Sequence, residues 1–227
     1  MKKLASFIFI IFLFCTNLYS HVEHYKDLNF LEYELYRNNK LIGFHKYEFV
    51  RENNLLKVKS LVRFKISKLG VDLYNYEAES VEVYKNNRFL KFSSKTTQNK
   101  KQKYANIDYD ENKDVLIVNG SSFKGTTDKN FIVGTWWNHE IIKAKAQISA
   151  ISGRIIHQNV NFLGEEKITI NNKEYNTVHY NFSSSDKKLS KNKKLNTNIW
   201  YDIKSNLWIK ASFDKTGYWE YRLKSYN

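Results

Sequence analysis

From Leu28 onward the apolar positions recur every second residue, which is the period of an extended chain with one face buried. Leu31, Tyr33 and Leu35 alternate with Glu32 and Glu34. After a turn at Asn38-Asn39, the stretch Leu41 to Val50 places His45, Tyr47 and Phe49 on one face and Lys46 and Glu48 on the other. Beyond Asn53-Asn54 the pattern is plainest: Leu56, Val58, Val62, Phe64 and Ile66 oppose Lys57, Lys59, Arg63 and Lys65. One buried and one wetted face means antiparallel pairing. The same reasoning predicts strands over 71–84, 89–97, 103–109, 115–119, 154–162, 167–170, 174–182, 197–203, 207–213 and 218–226. Turns are expected at Asn86-Asn87, Glu111-Asn112, Gly164, Asn171-Asn172, Ser205-Asn206 and Thr216-Gly217. Asn tolerates the positive φ of tight hairpins, so the repeated Asn pairs fit a meander. Gly120 to Asn130 and the Lys- and Ser-rich Ser183 to Leu195 read as loops.

One stretch departs from this pattern. Phe131 to Gly153 carries Trp136 and Trp137 side by side, then Asn138, His139 and Glu140, and then a run rich in Ile and Ala. Asn138 suits an N-cap, and a short helix is predicted from His139 to Ile148. So many antiparallel strands must close, curl or stack. One short helix covers them only if the sheet curves around it. The expected architecture is mainly β: one large antiparallel meander curled into an incomplete barrel around or under a short central helix. A closed, lipocalin-like barrel is the alternative. Residues 21–227 are expected to form a single antiparallel β domain.

The N-terminus sets the compartment. Lys2 and Lys3 precede an apolar run from Leu4 to Phe14, too short to span a bilayer comfortably, and Ser20 is a small residue at a plausible cleavage point. Residues 1–20 read as a secretory signal peptide, with a periplasmic or otherwise exported product. Bulky Phe14 before Cys15 argues against a lipoprotein. Cys15 is the one Cys, so the processed chain would have no disulfide, thiol nucleophile or Cys-based metal site. The formal charge is +14, or +12 without Lys2 and Lys3. However, Lys far outnumbers Arg, Pro is absent, and Asn, Ile, Phe and Tyr abound. A surface built for phosphate recognition would be richer in Arg. The charge therefore reads as solvated surface, with no nucleic-acid partner, leaving attraction to an anionic membrane surface open. The basic cluster Lys187 to Lys194 is either such a contact or a solvated loop.

Candidate chemistry is sparse. His45, His157 and His179 sit singly in predicted strands, and His21 and His24 lie near the expected new N-terminus, so no His pair has the spacing of a zinc site. His139-Glu140 at the helix start suits either acid–base work or a helix cap. No G-x-S-x-G elbow and no Gly-rich phosphate loop occurs. Glu77, Glu79 and Glu82 cluster as either a cleft or a wetted strand face. No catalytic residue, metal or cofactor is assigned. The aromatic residues are more suggestive. Trp136, Trp137 and Trp200 are expected to give wall area to a concave-face site for an apolar or lipid-like ligand, with Asn138 and His139 as polar contacts. Two other readings stay open: a structural or interaction module of the cell envelope, and a hydrolase with convergent His and Glu.

A further signal lies in Leu41-Ile42-Gly43-Phe44-His45, Tyr74-Asn75-Tyr76-Glu77 with Glu82-Val83-Tyr84, Trp137-Asn138 and Ile151-Ser152-Gly153. It continues in Trp200-Tyr201-Asp202, Leu207-Trp208 and Tyr218 through Leu223. Over Leu31 to Tyr226 the chain resembles an uncharacterised family of exported bacterial β proteins, a domain of unknown function. The resemblance implies an exported antiparallel β domain and no established activity. A looser likeness, at the level of fold, is to curved-sheet lipoprotein carriers.

Overall fold

The computed structural model describes residues 25–190 and 193–227. The expected signal peptide, with His21, His24 and part of the Lys187 to Lys194 cluster, lies outside the described residues. Eight strands precede the central segment: β1 (Phe30–Arg37), β2 (Lys40–Glu52), β3 (Leu55–Lys68), β4 (Val71–Lys85), β5 (Arg88–Gln98), β6 (Lys101–Asp110), β7 (Val115–Gly120) and β8 (Lys124–Asp128). After β9 (Ile132–Val133) and a 3-10 turn (His139–Lys143) come β10 (Ala146–Ile148), β11 (Ile155–Ile170), β12 (Lys173–Ser184), β13 (Asn196–Asp202), β14 (Trp208–Asp214) and β15 (Tyr218–Tyr226).

All of these strands join one sheet in the order β8-β7-β6-β5-β4-β3-β2-β1-β15-β14-β13-β12-β11-β10-β9. Every sequential pair is an antiparallel hairpin except β8–β9, whose members are the two edges, and β9–β10, which is parallel. The Asn turns behave as their chemistry dictates. Asn38-Asn39, Asn86-Asn87 and Asn171-Asn172 all hold positive φ at both positions, as a type I′ hairpin requires.

The two sheet edges are consecutive in sequence. Residues 129–131 carry the chain from the last residue of β8 to the first of β9, a gap of at most about 14 Å. The sheet is therefore curled into an incomplete barrel. Its seam is fastened where Gly120, ending β7, meets the turn before β11. Ser122 N donates to Ser152 O at 2.9 Å. A Cβ on Gly120 would lie 2.4 Å from Ser152 O, so only glycine permits this approach.

Three expectations need correction. The predicted helix from His139 to Ile148 is a 3-10 turn of five residues followed by β10. Asn138 does cap it, accepting from Glu140 N at 3.1 Å. Gln158 of β11 then donates to the carbonyls of Ile141 and Ala144, both at 3.0 Å, and stops the helix there. Residues after Lys143 alternate in period two and pair as strand. The expected loop Gly120 to Asn130 contains β8, an exposed edge strand whose Lys-Gly-Thr-Thr-Asp carries no apolar alternation. Gly164 is not a turn: β11 runs straight through it, with a bulge between Phe162 and Gly164.

The inner face holds the core. Leu31, Tyr33 and Leu35 of β1, Tyr47 and Phe49 of β2, and Tyr201, Trp208, Ala211 and Leu223 of the C-terminal strands are all buried. The Tyr33 ring stacks on Trp208 at 4.0 Å between centroids. The substitution Gly120→Ala drives a methyl into the seam, so a loss of about 1–3 kcal/mol in denaturant unfolding is expected. A neutral result would mean that the seam is open in solution.

Candidate binding cavity on the concave face

The segment from Gly134 to Ala144 leaves the sheet edge at β9 and enters the concavity. Three tyrosine hydroxyls fasten this interior. Tyr47 donates to Thr135 O at 2.5 Å, Tyr201 to Trp136 O at 2.9 Å and Tyr33 to Trp208 O at 2.8 Å. Between the first two, Trp136 holds φ +62, a conformation that costs a bulky side chain about 1–3 kcal/mol unless the surroundings impose it. That backbone twist sends the two adjacent indoles to different neighbours.

Trp137 is core. It is 1% exposed, and its ring meets Tyr25, Phe49 and Tyr84 edge-on at 5.3–5.8 Å. Its indole N–H donates to Glu82 Oε1 at 2.9 Å, and the Tyr84 hydroxyl donates to Glu82 Oε2 at 2.8 Å. Burial raises the Glu82 carboxyl above its ordinary range, against the opposing pull of hydrogen bonds from Trp137, Thr135 and Tyr84. Asn138 is the cap already described. The buried His139 lies beside Tyr25, with Nδ1 3.2 Å from that hydroxyl.

Trp200 does not share a wall with the Trp136-Trp137 pair. It stands opposite His179 and Lys210 in the ladder, on the face away from Tyr201. Its ring stacks on His179 at 4.1 Å, Lys210 Nζ lies 5.0 Å from its centroid, and its N–H donates to Glu166 at 2.6 Å. Glu166 is also 2.9 Å from His179 Nδ1, while Nε2 of that ring lies 3.2 Å from Asn198 Oδ1. Both ring nitrogens are thus engaged, a poor arrangement for a general base. Among the described residues no three His, Cys, Asp or Glu side chains come close enough to share a metal ion.

Of the five sequence-predicted residues, Trp136 lines a cavity of about 230 Å³ between the central segment and β2–β5, whose wall does not include the other four. Sequence reasoning missed the rest of its wall. Ser60, Ser80 and Ser94 stand directly opposite one another on β3, β4 and β5, and Val62, Ala78 and Thr96 form the next row. Small inner-face residues on three adjacent strands leave the space that the neighbouring aromatic residues do not fill. The signal was present in the sequence: hydroxyl residues interrupt the apolar face in register on successive strands.

The cavity wall mixes apolar area with unused polar atoms. His45 Nδ1 and Trp136 Nε1 are buried and have no hydrogen-bond partner among the described residues. Thr96 Oγ1 is buried and interacts with the Tyr76 hydroxyl. His45 Nε2 lies 2.8 Å from Ser60 Oγ. Burial lowers the His45 ring from 6.5 to about 3, so it is neutral near pH 7. No Lys or Arg lines the cavity. A larger depression, about 1350 Å³, crosses the outer face of β2–β6 among Lys59, Glu79 and Lys95. It is open, and Lys59 there is already paired with Glu48 at 3.3 Å.

A family model for a domain of unknown function, DUF6134, matches residues 33–224. A comparison with curated protein sequences gives no match. Among solved structures, the fold is similar to a beta-barrel-like protein of domain of unknown function DUF1849 from Brucella abortus. The TM-score is 0.61 at 12% identity, covering 88% of this chain and 97% of that one.

The buried ring of His45 sets a pH dependence. The unfolded ring titrates near 6.5 and the folded one near 3, so the folded chain binds fewer protons between those values. This contribution to stability is complete above about pH 6.5 and falls as pH drops toward 3, by on the order of 4 kcal/mol in full. Glu82, raised by burial, works in the opposite sense and loses stability as pH rises above about 4.5. Denaturant unfolding of His45→Gln against the parent chain from pH 7 to 4 isolates the His45 contribution. The variant is expected to lose the acid-side fall, and equal slopes would show that the ring is protonated when folded.

Proposed function

The chain belongs to the DUF6134 family, and we propose that it is an exported, non-enzymatic binding protein that takes a small neutral ligand, apolar in body, into the cavity between Trp136 and the Ser60-Ser80-Ser94 row. The single observation that carries this reading is the cavity itself, a mostly apolar space walled by Trp136 on one side and by the Ser60-Ser80-Ser94 and Val62-Ala78-Thr96 rows on the other. A molecule with an apolar body gains affinity there by burying its surface against the aromatic and small side chains of the wall. Without Lys or Arg in the wall, a carboxylate or phosphate would be buried unpaired, which disfavours an anionic ligand. At about 230 Å³ the space is smaller than most drug-sized pockets and suits a short chain or a small ring system rather than a whole diacyl lipid. Export rests on the Lys2-Lys3 and Leu4 to Phe14 pattern together with the absence of Cys after residue 15.

The test is native mass spectrometry of the protein as purified, paired with organic extraction of the same sample. A bound mass that extracts as a neutral organic compound is expected. Ala78→Leu fills the second row of small residues. It is expected to lose that mass while keeping the parent's circular dichroism spectrum. Retention of the mass by Ala78→Leu would place the ligand elsewhere.

A further inference from the structure

Antiparallel alternation gathers the β1–β2, β3–β4, β5–β6 and β14–β15 turns at one end of the barrel. At that end the β3–β4 hairpin outruns its neighbours. Its own pairing continues to Lys68–Val71, whereas β2 leaves β3 at Phe64 and β5 leaves β4 at Tyr76. The free tip is apolar, with Leu69 95% exposed, Val71 61% and Leu73 55%. In water such a cluster on a projecting hairpin is unfavourable unless something covers it.

The rim around the tip is basic. Lys40, Lys68, Lys101, Lys103, Arg154 and Lys215 lie at strand ends or turns of this same end. Three of them converge from separate elements, since Arg154 and Lys103 add to burial in lowering the Lys215 ammonium. Arg154 also donates to Lys193 O at 3.2 Å, tying the Lys-rich connection before β13 to this rim. Asp72 at the tip is bound to Lys65 at 2.7 Å and leaves the surplus charge intact. The opposite end carries Asp110, Glu111, Asp114, Asp128 and Asp202 among Lys85, Arg88, Lys113, Lys129, Lys173 and Lys204, with Asp110 and Asp114 paired to Lys113 and Lys129, and it has no projecting apolar tip of this kind among the described residues.

We propose that this rim docks on an anionic phospholipid bilayer. The Leu69–Leu73 tip enters the boundary between headgroups and acyl chains, and the surrounding Lys and Arg side chains contact the headgroup phosphates. An apolar tip ringed by cations is complementary to that surface. A second copy of the chain is a poor occupant, because apposed rims would set like charges against each other. Nucleic acid would leave the leucines uncovered. The inference stands apart from the cavity reading and does not need a ligand.

The test places an environment-sensitive nitrobenzoxadiazole label at Ser67→Cys in the processed chain without residues 1–20, which has no Cys of its own, with Glu111→Cys as the control at the far end. Vesicles of phosphatidylcholine with phosphatidylglycerol should shift the Ser67→Cys emission to the blue, and pure phosphatidylcholine should not. High salt should reverse the shift. Adding Leu69→Asp and Leu73→Asp, both at exposed positions that the fold does not need, should weaken the response about tenfold. An unshifted label, an equal shift at Glu111→Cys, full binding by the double Asp variant, or an equal response to a DNA duplex would each overturn the proposal.

Discussion

The indole N–H of Trp137, donated to a buried carboxylate of Glu82 that Tyr84 also holds, fixes the chain's own central segment inside its sheet. The need for such a fixture follows from the architecture. A single sheet of fifteen strands with almost no helix has a long inner face and no second layer to cover it. Curling the sheet makes the two halves of that face cover each other, and Gly134 to Ala144 fills the space left between them. Removing either partner would strand a buried donor or a buried carboxylate, a loss of about 1–3 kcal/mol or more. The segment leaves directly from edge strand β9, which residues 129–131 join to the opposite edge β8, so its position and the curvature of the barrel are set together.

The same anchoring accounts for the cavity. Tyr47 and Tyr201 hold the carbonyls of Thr135 and Trp136, and the positive φ of Trp136 turns its ring against Trp208 and Tyr221, at 5.5 and 5.7 Å between centroids. Opposite it, β3–β5 present the rows Ser60-Ser80-Ser94 and Val62-Ala78-Thr96, where the flanking rows carry Phe92 on one side and Phe64 and Tyr76 on the other. A rigid aromatic wall facing a row of small residues cannot collapse onto it without rotating the backbone that the tyrosines hold. The cavity is thus a consequence of which rows are small, and its polar share comes from the serine and threonine side chains of those rows.

Much of the fold was legible in the sequence because period two and paired asparagines are local signals. Leu31, Tyr33 and Leu35 told the inner face from the outer, and Asn38-Asn39, Asn86-Asn87 and Asn171-Asn172 marked turns that form as expected. The failures have non-local causes. The predicted helix ended early because Gln158, about twenty residues downstream of the cap, takes its carbonyls. β8 gave no signal, since an exposed edge strand buries nothing. Trp200 was assigned to the concave wall, but strand alternation puts it on the outer face beside His179. The serine row escaped notice, and His45 was placed on the face of Tyr47 and Phe49 without being assigned to a site, because a site built across four strands becomes visible only when their register is known.

Ligand and membrane readings meet at one end of the molecule. Phe213 and Tyr76 belong to the cavity lining, and Phe213 pairs with Trp219 near the basic rim. The central claim, that the cavity exists to hold a neutral molecule, is tested most directly by a crystal structure of the protein as purified, with no detergent or lipid removal. Connected organic density between the Trp136 ring and the Ser60-Ser80-Ser94 row is the expected result. Ordered waters alone in that space, or Trp136 swung across to close it, would contradict the claim.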